Sequence, residues 1–336
     1  MKTLVFEPIY PADGLSCHAS HFAFLPDGDI VAVWFHGSAE GQDDVRISGA
    51  RRRRGKWDPP RFLTPDDGLP HWNPVLHRTE DGRLILYYKV GREIASWRTW
   101  VTVSLDDGES FSEPRELVPG DGSSGRGPVR NKILPLSDGS WLAPGSTEGG
   151  GWKCFADRSE DGGETWTRSR DILLPEKYFR PGVPMEREKR GIIQPSFWED
   201  PEKPGCVSAL MRSTEGRVFR ADSRDYGKSF GEPRPIPVPN NNSALDLALL
   251  PDGRIFLVLN PVGVPPDGCW GERTPLSLLV SEDGGETFRR VADIAMGKKQ
   301  VFAYFDVFGK SKIIFIYNIL FKDLPPTFIK RRRCIH

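Results

Sequence analysis

Cysteine is sparse and scattered in this chain. Cys17, Cys154, Cys206, Cys269 and Cys334 contain no Cys-x-x-Cys pair, so neither a zinc ribbon nor a disulfide framework is encoded. No clustering of His, Asp and Glu calls for a metal or a cofactor. Net charge is missing as well: 46 Lys and Arg balance 46 Asp and Glu. That balance argues against nucleic acid or a membrane as a partner. Two basic runs, Arg51 to Arg54 and Lys330 to Arg333, read as solvated turns rather than nucleic-acid patches. No apolar run approaches bilayer length, Ile313 to Tyr317 being far too short. The segment from Met1 to Glu7 has only Leu4, Val5 and Phe6 before a carboxylate, so no secretory signal is read. The expectation is a soluble, cytoplasmic protein. Long helical periodicity appears nowhere, and 35 glycines with 30 prolines suit a turn-dense all-β chain.

What is present is repetition. The phrase Ser-x-Asp-x-Gly-x-Thr/Ser-aromatic occurs four times, at Ser104–Phe111, Ser159–Trp166, Ser223–Phe230 and Ser281–Phe288. Its Asp can accept turn amides, its Gly supplies a positive φ, and its aromatic plugs the turn. A second phrase, a two-residue Asp-Gly turn between apolar runs, falls at Asp27, Asp81, Asp138 and Asp252, spaced by 54, 57 and 114 residues. The last interval is twice 57. The missing member is an enlarged turn near Asp200 to Gly205, and a degenerate first box lies at Ser48 to Trp57. Each unit therefore reads strand, Asp-Gly turn, strand, loop, strand, boxed turn, strand. Runs such as Ile30 to Trp34 and Leu84 to Tyr88 have strand composition.

Four-stranded units in tandem predict a six-bladed β-propeller of four-stranded antiparallel blades, formed by one domain over residues 1–336. Closure is expected through pairing of the N-terminal strand around Leu4 to Pro8 with the last blade. From Met296 onward both phrases vanish, so 296–336 is an atypical segment and the last blade is divergent or incomplete.

Counting from the Asp-Gly turns places polar residues at one rim of the blades. His18, His71, Asn73, Arg130, Asn131 and Asn242 precede the turns by seven to ten residues, and Arg190 and Gln194 hold this place in the altered blade. Trp34, His36, Tyr88, Lys89, Ser146 and Asn260 follow the turns, with Arg212 as their counterpart. Strands of this kind should be apolar, so recurring polar residues need a reason. Mutual satisfaction around a channel is one reason. A convergent site rich in donors and imidazoles, suited to an anionic or heavily hydroxylated ligand, is the other. Asp43, Asp44, Glu148 and Asp246 are the nearby acids, although Asp43 and Asp44 could cap a loop and Asp246 could close a strand.

The boxed phrases resemble the Asp-boxes, or bacterial neuraminidase repeats, of the sialidase superfamily. Connecting phrases are similar to its sialidase-like domain branch: Cys17 to Ser20, Trp34 to Gly37, Asn73 to Leu76, Tyr88 to Gly91, Gly127 to Lys132, Gln194-Pro195, Arg212-Ser213, Pro239 to Ser243 and Asn260-Pro261. The resemblance implies a carbohydrate-active propeller with an acidic oligosaccharide or glycoconjugate as partner. The chain departs from true exo-sialidases, having no early Arg-Ile-Pro motif and leaving a late Tyr nucleophile to the atypical tail. The branch is also similar to propeller polysaccharide lyases. The expectation is thus an enzyme that cleaves a glycosidic bond at an acidic sugar, with uronate lyase chemistry ahead of sialidase-type hydrolysis. In the lyase assignment Arg130, Arg190 or Arg212 with Asn131 holds the carboxylate, and His18, His36 or His71 with Tyr88 moves protons. In the hydrolase assignment Tyr88 is the nucleophile, Glu148 its base and Asp44 the acid. Asn73, Lys89, Gln194, Asn242 and Asn260 complete the substrate-binding set. The alternative is a catalytically inactive glycan-binding propeller.

Overall fold

The computed structural model describes residues 5–10, 14–296, 301–303, 312–319 and 328–333, with 5–7 and those beyond 300 as backbone only. Much of the atypical segment 296–336, including any late tyrosine nucleophile, lies outside what is described with side chains. Each repeat folds as the turn chemistry predicts, into an antiparallel meander. Blade 1 comprises Ser16–Phe24, Ile30–Gly37, Arg46–Arg53 and Lys56–Trp57, with Arg61–Phe62 also pairing on Arg46–Arg53. Blade 2 comprises His71–Arg78, Leu84–Val90, Arg98–Ser104 and Arg115–Glu116. Blade 3 is Leu134–Pro135, Trp141–Thr147, Lys153–Ser159 and Thr167–Arg168. Blade 4 is Ile192–Glu199, Val207–Ser213, Arg217–Ser223 and Arg234–Pro239, and blade 5 is Asp246–Leu249, Ile255–Leu259, Leu276–Ser281 and Arg289–Ala295.

Five blades are described with their side chains, which corrects the expectation of six. The strands beyond residue 300 carry neither turn phrase, so a count at 57-residue intervals had no local signal to rest on. Only their backbone pairing is described: Val5–Pro8 pairs with Phe328–Arg333, which pairs with Lys312–Ile319. The N-terminal strand thus meets the C-terminal one, as expected. The chain divides into two compact units, Met1–Ser123 with Phe302–His336, and Ser124–Val301. Among the described residues no helix is long and apolar enough to cross a membrane, and no group of His, Cys, Asp and Glu could hold a metal.

The boxed turns show why their residues recur. In the blade 3 turn, Ser159 Oγ donates to Asp161 Oδ1 at 2.8 Å and accepts Gly163 N–H at 2.8 Å. Asp161 also accepts Thr165 N–H at 2.9 Å and Thr165 Oγ at 2.5 Å, and Trp166 Nε1 donates to Gly163 O at 3.0 Å. Blades 2, 4 and 5 repeat the Ser–Asp and Ser–Gly bonds. These turns also dock blades together. A Cβ on Gly227, in the blade 4 box, would lie 2.5 Å from Leu142 of blade 3, and one on Gly285 of blade 5 would lie 2.9 Å from Trp198 of blade 4. The first arginine of the basic run is part of such a joint. Arg51 reaches Asp27, Asp29 and Glu109 at 3.1–3.3 Å, which ties blade 1 to the boxed turn of blade 2.

Strands inside a blade are buried on both faces, and this explains their unbroken apolar runs. In Ile30–Gly37, alternate residues Val31, Val33 and Phe35 pack with Leu76, Leu84, Leu86 and Tyr88 of blade 2. The intervening Ile30, Ala32 and Trp34 pack with Ile9, Tyr10, Cys17 and Phe22. In the second unit the same layering joins blade 3 to blade 4 and blade 4 to blade 5. Each such side chain contributes about 1.5–3 kcal/mol on burial.

A feature that recurs from blade to blade sits at the predicted rim. Ala19, Asn73, Gln194 and Asn242 are non-glycine residues with φ between 44° and 62°. The first three coincide with breaks in strand register, between His18 and His21, Trp72 and Val75, and Ile193 and Ser196. These are β-bulges, in which two residues of the first strand oppose one of the second. A left-handed residue with a Cβ costs about 1–2 kcal/mol, and Asn tolerates it best. Part of the polar recurrence read from the sequence is therefore backbone chemistry.

Candidate functional site

In the first unit, most of the predicted site residues are built into the packing. His18 stacks on Phe35, with ring centroids 5.2 Å apart, and His36 lies 3.3 Å from Ser48 Oγ and stacks over Phe62. His71 is fully buried; Thr64 Oγ1 is 2.7 Å from its Nδ1 and Asp67 Oδ1 is 3.2 Å from its Nε2. Since Thr64 Oγ1 already accepts Ile47 N–H at 3.0 Å, its proton is available to Nδ1, and the Nε2–H tautomer satisfies every partner. Burial lowers the His71 pKa, outweighing the opposite pull of Asp67. Tyr88 tilts against His71 in the apolar cluster of blades 1 and 2, and burial pushes its phenol up from its ordinary value. Lys89 is buried and donates to Thr99 Oγ1 at 2.7 Å. Asp44 accepts Ser38 N–H at 3.0 Å and Ser38 Oγ at 2.8 Å; those bonds hold its carboxyl below the usual range. It caps a loop, and Asp43 likewise forms a two-point pair with Arg92.

In the second unit several of the predicted residues are joined by hydrogen bonds. Arg130 and Asn131 lie just before blade 3 and are buried. Arg130 Nη1 donates to Asn131 Oδ1 at 2.7 Å and to Leu245 O at 3.2 Å. Asn131 Nδ2 donates to Gln194 O and Pro195 O on the blade 4 bulge, at 3.1 and 2.9 Å. Lys132 Nζ reaches Asp246 Oδ2 at 2.8 Å, and Ser196 Oγ reaches Oδ1 of the same carboxylate at 2.7 Å. This strand-end aspartate therefore clamps blades 3, 4 and 5 together. Asn260 is part of the frame, accepting Ser243 Oγ and donating to Pro275 O.

Arg190 is held elsewhere. Its Nε and Nη2 meet Glu215 Oε1 and Oε2 at 3.1 and 2.8 Å, with both side chains buried. Burial opposes the charge on Glu215, but hydrogen bonds from Arg190, Arg180 N–H and Thr214 outweigh it and hold the carboxyl low.

Arg212 is placed differently. Its Nη1 donates to Gln194 Oε1 at 3.0 Å and its Nε to Asn242 Oδ1 at 3.2 Å. These bonds orient the guanidinium. The left-handed backbone at Gln194 and Asn242 is what presents the two amides to it. The guanidinium carbon lies 5.4 Å from the Trp152 ring centroid and 5.7 Å from that of Trp270, and the two indoles meet edge to face at 6.3 Å. Glu148 is near enough to feel the Arg212 charge, yet burial raises its pKa. An oriented cation, a carboxyl that keeps its proton to higher pH and two indoles can bind an anionic, hydroxylated ring and donate a proton to it.

Trp152, Trp270 and Glu215 were not among the residues singled out from the sequence. The Trp pair had a faint signal, since each follows glycine-rich or turn-forming loop sequence at Gly149 to Trp152 and Gly268 to Gly271. Glu215 had none, because only strand pairing brings it to Arg190.

Solved structures share this architecture at low identity. A protein of unknown function from Dyadobacter fermentans matches with a TM-score of 0.73 and 15% identity, over 98% of each chain. The NanB sialidase from Streptococcus pneumoniae matches at 0.71 and 12% identity, over 97% of this chain and 70% of that one. The Trypanosoma rangeli sialidase gives 0.67 and 14% identity, over 94% of this chain and 54% of that one. At such identities the likeness establishes the fold alone, an all-β propeller with four-stranded antiparallel blades. No curated protein matches the sequence. The BNR repeat-like domain does match it, over residues 28–316, and the chain belongs to that family.

Proposed function

We propose that this protein binds the carboxylate of an acidic sugar at Arg212 and cleaves the adjoining glycosidic bond, with Glu148 delivering a proton to the leaving oxygen. The carrying observation is the setting of Arg212: held by Gln194 and Asn242, flanked by Trp152 and Trp270, beside a carboxyl whose pKa is raised by burial. A fixed guanidinium neutralises the carboxylate and makes the proton on the adjacent carbon easier to remove. Glu148 as carboxylate takes that proton and passes it to the leaving oxygen, so that the C–H and C–O bonds break as the C=C bond forms. Uronate elimination is favoured over hydrolysis because both groups of the hydrolase assignment are committed to other contacts. Asp44, its acid, accepts Ser38 N–H and Oγ as a loop cap, and Tyr88, its nucleophile, packs against His71 in the apolar cluster of blades 1 and 2. The likeness to sialidases of known structure supports an acidic glycoconjugate as the ligand class.

A second reading, binding without turnover, is favoured by one observation. Arg190 is already paired with Glu215, so it cannot join Arg212 in holding a carboxylate without breaking that pair.

The test is a turnover screen against uronate polysaccharides, followed by ultraviolet absorbance of the unsaturated product, and against a fluorogenic sialoside. Arg212→Ala should lower affinity for the acidic ligand about 10- to 100-fold, the worth of a charged hydrogen-bonding group. Glu148→Gln should abolish turnover while leaving binding intact. Absorbance gain identifies elimination, and fluorophore release identifies hydrolysis. Binding without either supports the second reading, and wild-type affinity in Arg212→Ala refutes both.

A further inference from the structure

The loop between the second and third strands of blade 5, residues 260–275, has no regular structure and is long for a connection in a compact domain; such loops are usually functional. It is nonetheless braced. Gly271 N donates to Asn241 O at 3.1 Å, Asn241 Nδ2 donates to Glu272 O at 2.6 Å, and Arg180 donates to Pro265 O and Gly268 O at 2.9 and 2.6 Å. A Cβ on Gly271 would lie 2.1 Å from Gly263 O, so the loop folds tightly on itself. From this support it holds out Trp270, 45% exposed. A lone exposed indole is ordinary. This one has two guanidiniums beside it: Arg212 at 5.7 Å and, from its own loop, Arg273 at 5.5 Å.

We propose that Trp270 and Arg273 form a second anionic sugar subsite next to Arg212, so that the ligand is a run of a linear polyanionic glycan rather than a single acidic sugar. The inference rests on the assignment of Arg212 as the carboxylate-binding residue. Both guanidiniums lie within 6 Å of one half-exposed indole, so a glycan that carries a carboxylate on successive sugars can place one beside each cation with the indole as a shared apolar contact. The bracing lowers the entropy cost of presenting these groups. A polymer repeating its charge can engage both cations, whereas a terminal acidic sugar on a neutral chain uses only Arg212.

Calorimetry with three probes tests this: methyl glucuronide, an oligogalacturonate tetramer and neutral cellotetraose. The tetramer should bind at least about tenfold more tightly than the monosaccharide, and cellotetraose weakly. Arg273→Gln should weaken tetramer binding about two- to fivefold, the range of an exposed ion pair, and flatten its salt dependence. Its affinity for methyl glucuronide should stay within twofold. Trp270→Ala should weaken the tetramer more strongly, with Trp270→Phe recovering part of the loss and confirming a folded loop. Equal weakening of both acidic probes in Arg273→Gln, or no tetramer advantage in the wild type, overturns the second subsite. Failure of the underlying assignment reads differently: methyl glucuronide binding would then survive Arg212→Ala.

Discussion

Glu215→Gln gives the sharpest test of how the second unit is held together. The substitution keeps shape and removes one charge from a side chain that is 1% exposed. In the wild type the carboxylate accepts Arg190 Nε at 3.1 Å, Arg190 Nη2 at 2.8 Å, Arg180 N–H at 2.9 Å and Thr214 Oγ1 at 2.7 Å. All four are donors. An amide must turn its own NH₂ toward some of them, and the buried Arg190 charge is left uncompensated. Breaking a buried pair from one side costs about 3–5 kcal/mol, a large part of the stability of an ordinary domain. Urea denaturation followed by tryptophan fluorescence should show a loss of that size. Glu215→Gln combined with Arg190→Met should cost less than the sum of the single changes, because the double variant no longer buries a lone charge. The pH dependence has a definite sign. The folded carboxyl sits below its ordinary value near 4.5, so its contribution is complete above that pH and is lost as pH falls through the lower folded value. The gap between wild type and Glu215→Gln should therefore narrow in acid. A loss under about 1 kcal/mol at pH 7, or additive double-mutant energies, would refute the reasoning.

Three further outcomes follow from the geometry. Gly227→Ala should destabilise by about 2–4 kcal/mol, since φ is +75° and the new Cβ would meet buried Leu142 at 2.5 Å; Gly253→Ala, at φ +84° with nothing within 4 Å, should cost only about 1–2. Thermal unfolding of the two variants checks the difference. Asp161, with its pKa brought down to about 2 chiefly by the Thr165 side chain, should titrate near that value by NMR, and the stability it contributes should fade as pH drops from about 4 toward 2. Lys132→Met should cost about 1.5–3 kcal/mol by stripping a charged partner from the buried Asp246. A wild-type denaturation midpoint in that variant would show that Asp246 does not need it.

The fold was legible wherever it depends on local chemistry. Ser159, Asp161, Gly163 and Thr165 bond to one another within seven residues, so the boxed turns announce themselves in any window that contains them. The Asp-Gly turns do the same, and the strands between them follow by length and apolar content. Legibility failed where such signals stop, beyond Met296, and the blade count failed with it. At the candidate site, counting from the turns singled out Arg212, Gln194, Asn242, Arg130 and Asn131, which the structure joins by hydrogen bonds. The counting could not separate Arg212 from Arg190, because both occupy rim positions and differ only in which acceptor the packed chain brings to each. It weighed ligand binding against mutual satisfaction for Asn73 and Asn242, and had no sign of a third reason, the left-handed backbone that Asn tolerates at both positions.

By itself, then, the sequence determined the repeating strand and turn order, the antiparallel blades and the zone where polar groups recur, all consequences of interactions a few residues long. Only the tertiary structure decided that Glu215 neutralises Arg190, that Asp44 is a loop cap, and that Tyr88 is buried in an apolar cluster that pushes its phenol up. It also decided that Trp152 and Trp270, more than one hundred residues apart in the chain, stand together beside Arg212. The physical reason is that charge compensation and desolvation depend on which side chains are within a few ångströms, and pairing between strands sets those distances.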